Sequence, residues 1–213
     1  MWHWSNVTES LPVVLRGFRL TLLATVLGSL VAAVLGLALA IAGRAPTRWV
    51  RVPVRAAVAF VRSTPVMIQL FAAWVLLPRL SVTVIGVGVL GVHYAAYTSE
   101  VYRAGIDAVP RGQWEACTAL SLPRHRVWRA VVLPQALRNV LPALGNYAIS
   151  MFKETPFLSV IGVAEMVHQA NEFGSEHFAY LETLTLTAAI FLVASYPTSV
   201  GLRTLEERLA RSH

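Results

Sequence analysis

The chain has 213 residues, of which 56% are hydrophobic and 14% charged, and its mean hydropathy is +0.59. A soluble domain is about a quarter charged, so this chain has too few polar residues to cover a water-facing globule of its size. A soluble enzyme and a disordered chain are both excluded in favour of a chain dissolved in a bilayer. Eighteen basic residues, seventeen of them Arg, oppose eleven acidic ones, a net charge of +7. Such an excess serves either nucleic acid or cytoplasmic loops, and its placement along the chain decides which.

The first four residues, Met1-Trp2-His3-Trp4, lack the basic start of a signal peptide. No charge occurs from Leu20 to Gly43, a run of about 36 Å as a helix, which is enough to cross the hydrocarbon. Within it Gly28, Ala32, Gly36 and Ala40 recur at every fourth residue, a small-residue stripe that lets another helix approach closely. The second apolar stretch carries Arg55, Arg62 and Pro65. We read Val50–Val61 as an amphipathic approach along the inner surface and the crossing as starting near Arg62. A third span falls within Leu80–Ser99, a fourth between about Val140 and Val163 despite Lys153 and Glu154, and a fifth in the uncharged Thr183–Leu202. The expected fold is an all-α integral membrane protein of one domain (1–213) with five transmembrane helices, at 20–43, 62–78, 80–99, 140–163 and 183–202.

With these spans, thirteen of the basic residues share one side: Arg44, Arg48, Arg51 and Arg55, then Arg103, Arg111, Arg124, Arg126, Arg129 and Arg138, then Arg203, Arg208 and Arg211. Arg16, Arg19 and Arg79 share the other, and Arg62 and Lys153 lie at membrane depth or its edge. The positive-inside rule then puts the N-terminus outside and the C-terminus in the cytoplasm. Glu165, Glu172 and Glu176, with no basic residue among them, fit the outside. The basic residues therefore mark topology, and nucleic acid is not a partner. Cys117, the single cysteine, leaves no internal disulfide. The histidines at 3, 93, 125, 168, 177 and 213 show no metal-ligand spacing.

The segment between spans three and four, 103–138, is too long and too patterned for a simple connector. Pro110 suits a first helical turn, and Glu115-Ala116-Cys117 with Ala119 and Leu120 forms a short helix with a small-residue face. Ser121 then caps a second helix, with Pro123 near its start, that carries Arg124, Arg126 and Arg129 and ends before Pro134. The order Glu115, Ala116, Cys117, Ser121, Val131, Leu133, Pro134 resembles the cytoplasmic signature of permease subunits of binding-protein-dependent ABC importers. That signature reads Glu-Ala-Ala, three residues, Gly, nine residues, Ile, one residue, Leu-Pro. Here Cys replaces Ala, Val replaces Ile and Ser replaces Gly. The segments Arg62–Gln69, Tyr97–Ile106, Val132–Ala136 and Lys153–Ile161 are similar to the polar-amino-acid branch of that family. Tyr94–Glu115, Gly145-Asn146-Tyr147 and Gly174-Ser175-Glu176 look most like the permease of ectoine/hydroxyectoine importers.

The resemblance implies transport of ectoine or hydroxyectoine, or by the same machinery of glutamine, histidine or arginine. It also implies a bacterial inner-membrane location and three partners: an ABC ATPase subunit, a second permease chain, sister or identical, and an extracytoplasmic solute-binding protein. There is no G-x-x-x-x-G-K-[ST] phosphate loop, so the chain needs no cofactor of its own and ATP is bound by the partner. Gly112, Glu115, Ala116, Cys117, Ala119, Leu120 and Ser121 are the candidate ATPase-coupling residues. Gln69, Lys153, Glu154 and Thr155 are candidates for the substrate pathway, because charge at membrane depth is costly unless used, paired or hydrated. For Lys153 and Glu154 the competing reading is a structural ion pair, with each other or with Arg62. Glu100 and Arg103 read as an i,i+3 pair. An intramembrane enzyme lacks any catalytic motif here; a membrane scaffold that binds an ATPase without transporting is the rival reading from another class.

Overall fold

The computed structural model describes residues 2–210, so Arg211 and His213 lie outside the described residues. The regular elements there are helical: α1 (Trp4–Ala42), α2 (Arg48–Ser63), α3 (Val66–Leu76), α4 (Val82–Asp107), α5 (Arg111–Ala119), α6 (Arg124–Arg126), a π segment (Val127–Val132), α7 (Leu133–Glu154), a 3-10 segment (Thr155–Ile161), α8 (Met166–His177) and α9 (Tyr180–Ala210). Three helices are long and apolar enough to cross a membrane, Trp4–Ala42, Val82–Asp107 and Tyr180–Arg208, or four if the bent pair α2–α3 is one crossing.

The small-residue stripe of α1 is its buried face. Ser10, Val14, Gly17, Thr21, Ala24, Gly28, Ala32, Gly36 and Ala40 are all buried, spaced three or four apart. Along its later turns the main helix that uses it is α4. The Thr98 hydroxyl donates to the Ala32 carbonyl at 2.8 Å, and a Cβ placed on Gly36 would lie 2.0 Å from the Thr98 Oγ1. Gly36 thus allows two backbones to meet where any side chain would hold them apart.

Contacts fix the direction of each element. Gly28 meets Leu90 and Gly36 meets Ala95, so α1 and α4 run the same way. Gly105 meets Val140 while Gly28 meets Met151, so α7 runs against both. On α9, Glu182 accepts from the His3 N–H while Leu202 packs on Gly145, so α9 runs with α1. Gln69 meets His93 while Trp74 and Val75 share a cleft with Ile85, so α3 runs against α4. The core between them holds Ala24, Leu70, Leu90, Met151 and Leu158. A smaller cluster of Val14, Met166 and Ala170 seats α8 across the start of α1. There the fully buried Glu165 caps α8, accepting from the N–H groups of His168 at 2.7 Å and Val167 at 3.0 Å.

The expected second and fourth spans are not single helices, and both breaks trace to proline. Thr64, the residue before Pro65, is extended, at φ −108° and ψ 137°, as that position demands. The chain turns by 108° between α2 and α3. The 11 residues of α3 rise about 16 Å, roughly half the hydrocarbon thickness. The expected 140–163 span likewise ends as α-helix at Glu154. Pro156 has no N–H to give the Phe152 carbonyl; the Thr155 hydroxyl donates to that carbonyl instead, at 2.8 Å. The chain tightens to a 3-10 turn and reverses at Gly162, φ +84°. The third expected span, 80–99, is part of a helix that continues to Asp107.

Pro134 does not end the second loop helix as expected. The π segment widens the turn ahead of Pro134 and absorbs its missing N–H, so α6 and α7 form one rod from 124 to 154.

Candidate functional site

The loop helix α5 is fixed from behind and open in front. Trp114 packs edge-on against Trp128 at 5.7 Å. With Ile106 and Val127, Trp114 covers a buried cluster of Val109, Val132 and Ala136. This ties α5 to the end of α4 and to the 124–154 rod, so that a push on α5 reaches both. Cys117 points inward and is 5% exposed, packing as a small residue. Gly112, Glu115, Ala116 and Ala119 are exposed, and Leu120 projects at the helix end, 72% exposed. Gly112, Ala116 and Ala119 share one face by helical spacing. A groove of about 540 Å³ opens between α5 and the rod, lined by Trp114, Cys117, Thr118, Ser121, Leu122, Arg124, Val127 and Trp128.

Ser121 has a different part from the one expected. It does not cap α6, whose first turn follows Pro123 with no side-chain cap. It lies in the left-handed region at φ +49° and closes α5. The Ser121 N–H donates to the Thr118 carbonyl at 2.9 Å, and the Leu122 N–H to the Cys117 carbonyl at 3.0 Å. This is the Schellman closure, in which glycine is the usual left-handed residue.

At membrane depth the four candidate pathway residues separate. Gln69 is occupied: its amide donates to the Val61 carbonyl (2.8 Å), the Thr64 carbonyl (3.0 Å) and the Thr64 hydroxyl (2.8 Å). Its carbonyl oxygen faces the His93 Nδ1 at 3.2 Å. Since all three acceptors lie on the nitrogen side, His93 is the donor and carries its proton on Nδ1. Gln69 therefore pins the α2–α3 elbow to α4. Arg62 helps, lying 5.3 Å over the Tyr97 ring. Thr155 is fully buried, its hydroxyl on the Phe152 carbonyl. Lys153 is exposed. The described ion pairs include Arg44–Asp107 at 2.6 Å, Arg103–Glu100 and Arg103–Asp107 at 3.7 Å. The expected Glu100–Arg103 pair is there, while neither Lys153 nor Glu154 joins one.

Glu154 is the exception. Its Oε2 is buried and has no hydrogen-bond partner among the described residues. Its carboxyl lies beside the Tyr94 hydroxyl. Tyr94, Tyr97 and Tyr147 stand ring to ring, at 5.7 to 6.2 Å between centroids, with His93 at 5.2 Å from Tyr97. Tyr94 and Tyr147 then line a cleft of about 360 Å³ with Ser29, Thr98 and Met151. Nothing in the local sequence pattern marks these aromatics as site residues. Their i,i+3 spacing at 94 and 97 was visible, but Tyr147 joins them only through the packing of α7 on α4.

Residues 33–211 match the family described as binding-protein-dependent transport system inner membrane component. A probable amino-acid ABC transporter permease protein of Sinorhizobium fredii is 40% identical over 205 residues, covering 94% of this chain and 89% of that one. The glutamine transport system permease protein GlnP of Escherichia coli is 33% identical over 217 residues, covering 98% of each. A crystal structure of an amino acid ABC transporter with histidines superposes with a TM-score of 0.92 at 31% identity, covering 98% of this chain and 99% of that one. The MetNI methionine ABC transporter, inward facing, shares the fold at a TM-score of 0.72 and 19% identity, over 92% and 97%. The alternation of helices around the α1–α4 seam, the exposed helix α5 and these likenesses agree: the chain belongs to the family of binding-protein-dependent transport system inner membrane components.

Proposed function

We propose that the chain is the permease subunit of a bacterial ABC importer for a polar amino acid. In this reading it crosses the inner membrane five times with its N-terminus outside, α3 and the 3-10 segment supplying short, broken parts of the second and fourth crossings. It pairs with a second permease chain, receives solute from an extracytoplasmic binding protein and is driven by a separate ATPase subunit. The α5 face of Gly112, Glu115, Ala116, Ala119 and Leu120 is the ATPase contact, backed by Cys117 and closed by Ser121. Small residues there let the helix seat deeply, and its attachment to α4 and the rod turns ATPase closure into rigid-body movement of the spans.

The observation that carries the substrate reading is the unpartnered Oε2 of Glu154, whose carboxyl neighbours Tyr94 in the wall of the cleft. A buried carboxylate oxygen that has no hydrogen bond, with the Tyr94 hydroxyl as the donor beside its carboxyl, is costly to leave so, and the ammonium of an amino acid supplies both donor and charge. Lys153, being exposed, is the weaker of the two charged candidates. Gln69, bonded to the backbone, the Thr64 hydroxyl and His93, and Thr155, bonded to the backbone, shape the pathway without touching solute. The relatives named above act on amino acids, which supports glutamine, histidine or arginine over ectoine; the ectoine expectation finds no support in them.

The test is uptake by the assembled importer in proteoliposomes with ATP inside, offering labelled glutamine, histidine, arginine and ectoine with the cognate binding protein. One amino acid is taken up and ectoine does not compete. Glu154→Gln lowers uptake by roughly 10- to 100-fold, the worth of a hydrogen bond to a charged group, while the ATPase still copurifies. Uptake of ectoine alone overturns the substrate class; undiminished uptake by E154Q overturns the role of Glu154.

A further inference from the structure

The helix α2 carries a basic stripe and an exposed apolar face for which the described residues supply neither a carboxylate nor a core. Arg48, Arg51, Arg55 and Arg62 fall within about 60° of arc on a 3.6-residue pitch. Trp49, Pro53, Ala56 and Phe60 are exposed and are centred about 140° away on the same pitch. Between the two, Val54, Val58 and Val61 turn toward the protein. Trp49 is 83% exposed and Phe60 69%. The helix has no acidic residue, and among the described residues no carboxylate pairs with any of its four arginines. Arg55 and Arg51 donate to carbonyls just past α1, Gly43 at 3.1 Å and Ala45 at 3.4 Å, which positions the guanidinium groups without neutralising them.

We propose that α2 lies in the membrane interface as a docking surface for anionic phospholipid, with Trp49 and Phe60 in the acyl region and the arginine stripe on the headgroups. A helix with a bulky apolar face opposite a wholly basic one suits that boundary. Charge complementarity selects the occupant: four guanidinium groups without a carboxylate partner, of which Arg62 also lies over the Tyr97 ring, face a layer that in anionic lipid is a sheet of phosphates. Because α2 is joined to α3 through the elbow pinned by Gln69 and His93, lipid bound there holds the elbow to the membrane plane. The inference rests on membrane insertion and is independent of the transported solute.

The test uses the full-length permease assembled with its ATPase subunits in lipid nanodiscs. Brominated phosphatidylglycerol in a phosphatidylcholine background is compared with the reverse, and the quenching carried by Trp49 is the difference between the wild-type chain and W49F. The expected result is stronger quenching by the brominated anionic lipid. Each arginine near an anionic surface raises binding about fivefold, so R48Q/R51Q lowers the preference on the order of 20-fold, as does added salt in part. Persisting quenching by brominated phosphatidylcholine in that variant shows that the helix is still in place. Equal quenching by both lipids in the wild-type chain overturns the proposal by making the surface indifferent to headgroup. Quenching by neither also overturns it, because a protein partner such as an acidic ATPase face then covers α2.

Discussion

Replacing Gly36 with Ala probes the α1–α4 seam directly. The added Cβ lies 2.0 Å from the Thr98 Oγ1, 3.0 Å from the Ala95 carbonyl oxygen and 3.1 Å from the Thr98 Cβ. The hydroxyl has to retreat by more than about 1 Å to reach ordinary contact. Rotating Thr98 achieves that and gives up its 2.8 Å bond to the Ala32 carbonyl. The two other contacts persist and force the backbones apart by a few tenths of an ångström. Overpacking costs about 1–3 kcal/mol, and an interhelical hydrogen bond in a membrane protein is worth about 0.6 kcal/mol. The expected loss is therefore about 2–4 kcal/mol, read by equilibrium unfolding of the purified permease in mixed micelles. Gly88→Ala on α4 is the control, since a Cβ there meets nothing within 4 Å; it changes stability by no more than about 1 kcal/mol. Adding Thr98→Ala to G36A recovers part of the loss, because the nearest clash disappears while the carbonyl contact stays. The reasoning fails if G36A costs no more than G88A, or if T98A adds its own loss in full.

Ser121→Gly relieves a left-handed residue and raises stability by about 1 kcal/mol in the same unfolding assay, with ATP hydrolysis still coupled to uptake; a loss of stability contradicts the Schellman closure. Ala116→Trp, at an exposed position on α5, leaves stability within about 0.5 kcal/mol but abolishes uptake or copurification of the ATPase, and normal uptake refutes the coupling assignment. Gln69→Leu strips the elbow of its donor to Val61 and Thr64 and costs about 2–3 kcal/mol. A double-mutant cycle with His93→Leu shows coupling between the two, and strict additivity places the latch elsewhere.

Composition alone set the solvent of this chain, because so few charged residues cannot clothe a water-soluble surface. The uncharged run 20–43, its stripe from Gly28 to Ala40 and the Glu115–Pro134 pattern were legible for a related reason: each is carried by residues close in sequence. Helix periodicity predicts which face is small, and the motif spacing predicts two short loop helices, of which the second continues past Pro134 to Glu154 in the structure. Which helix fills the α1 stripe was not legible, since Thr98 lies 66 residues from the carbonyl it binds. The prolines were visible, but their consequences depended on who takes the freed carbonyl. At 156 it is Thr155, which ends the α-helix, while at 134 a π turn carries the rod through. The same logic separated the candidate pathway residues. Gln69 and Glu154 are both polar at membrane depth, yet tertiary packing satisfies every hydrogen-bonding group of the first and leaves an oxygen of the second bare. Sequence sets which groups need partners; only the folded arrangement decides which find them, because hydrogen bonding and close packing depend on distances between segments far apart in the chain.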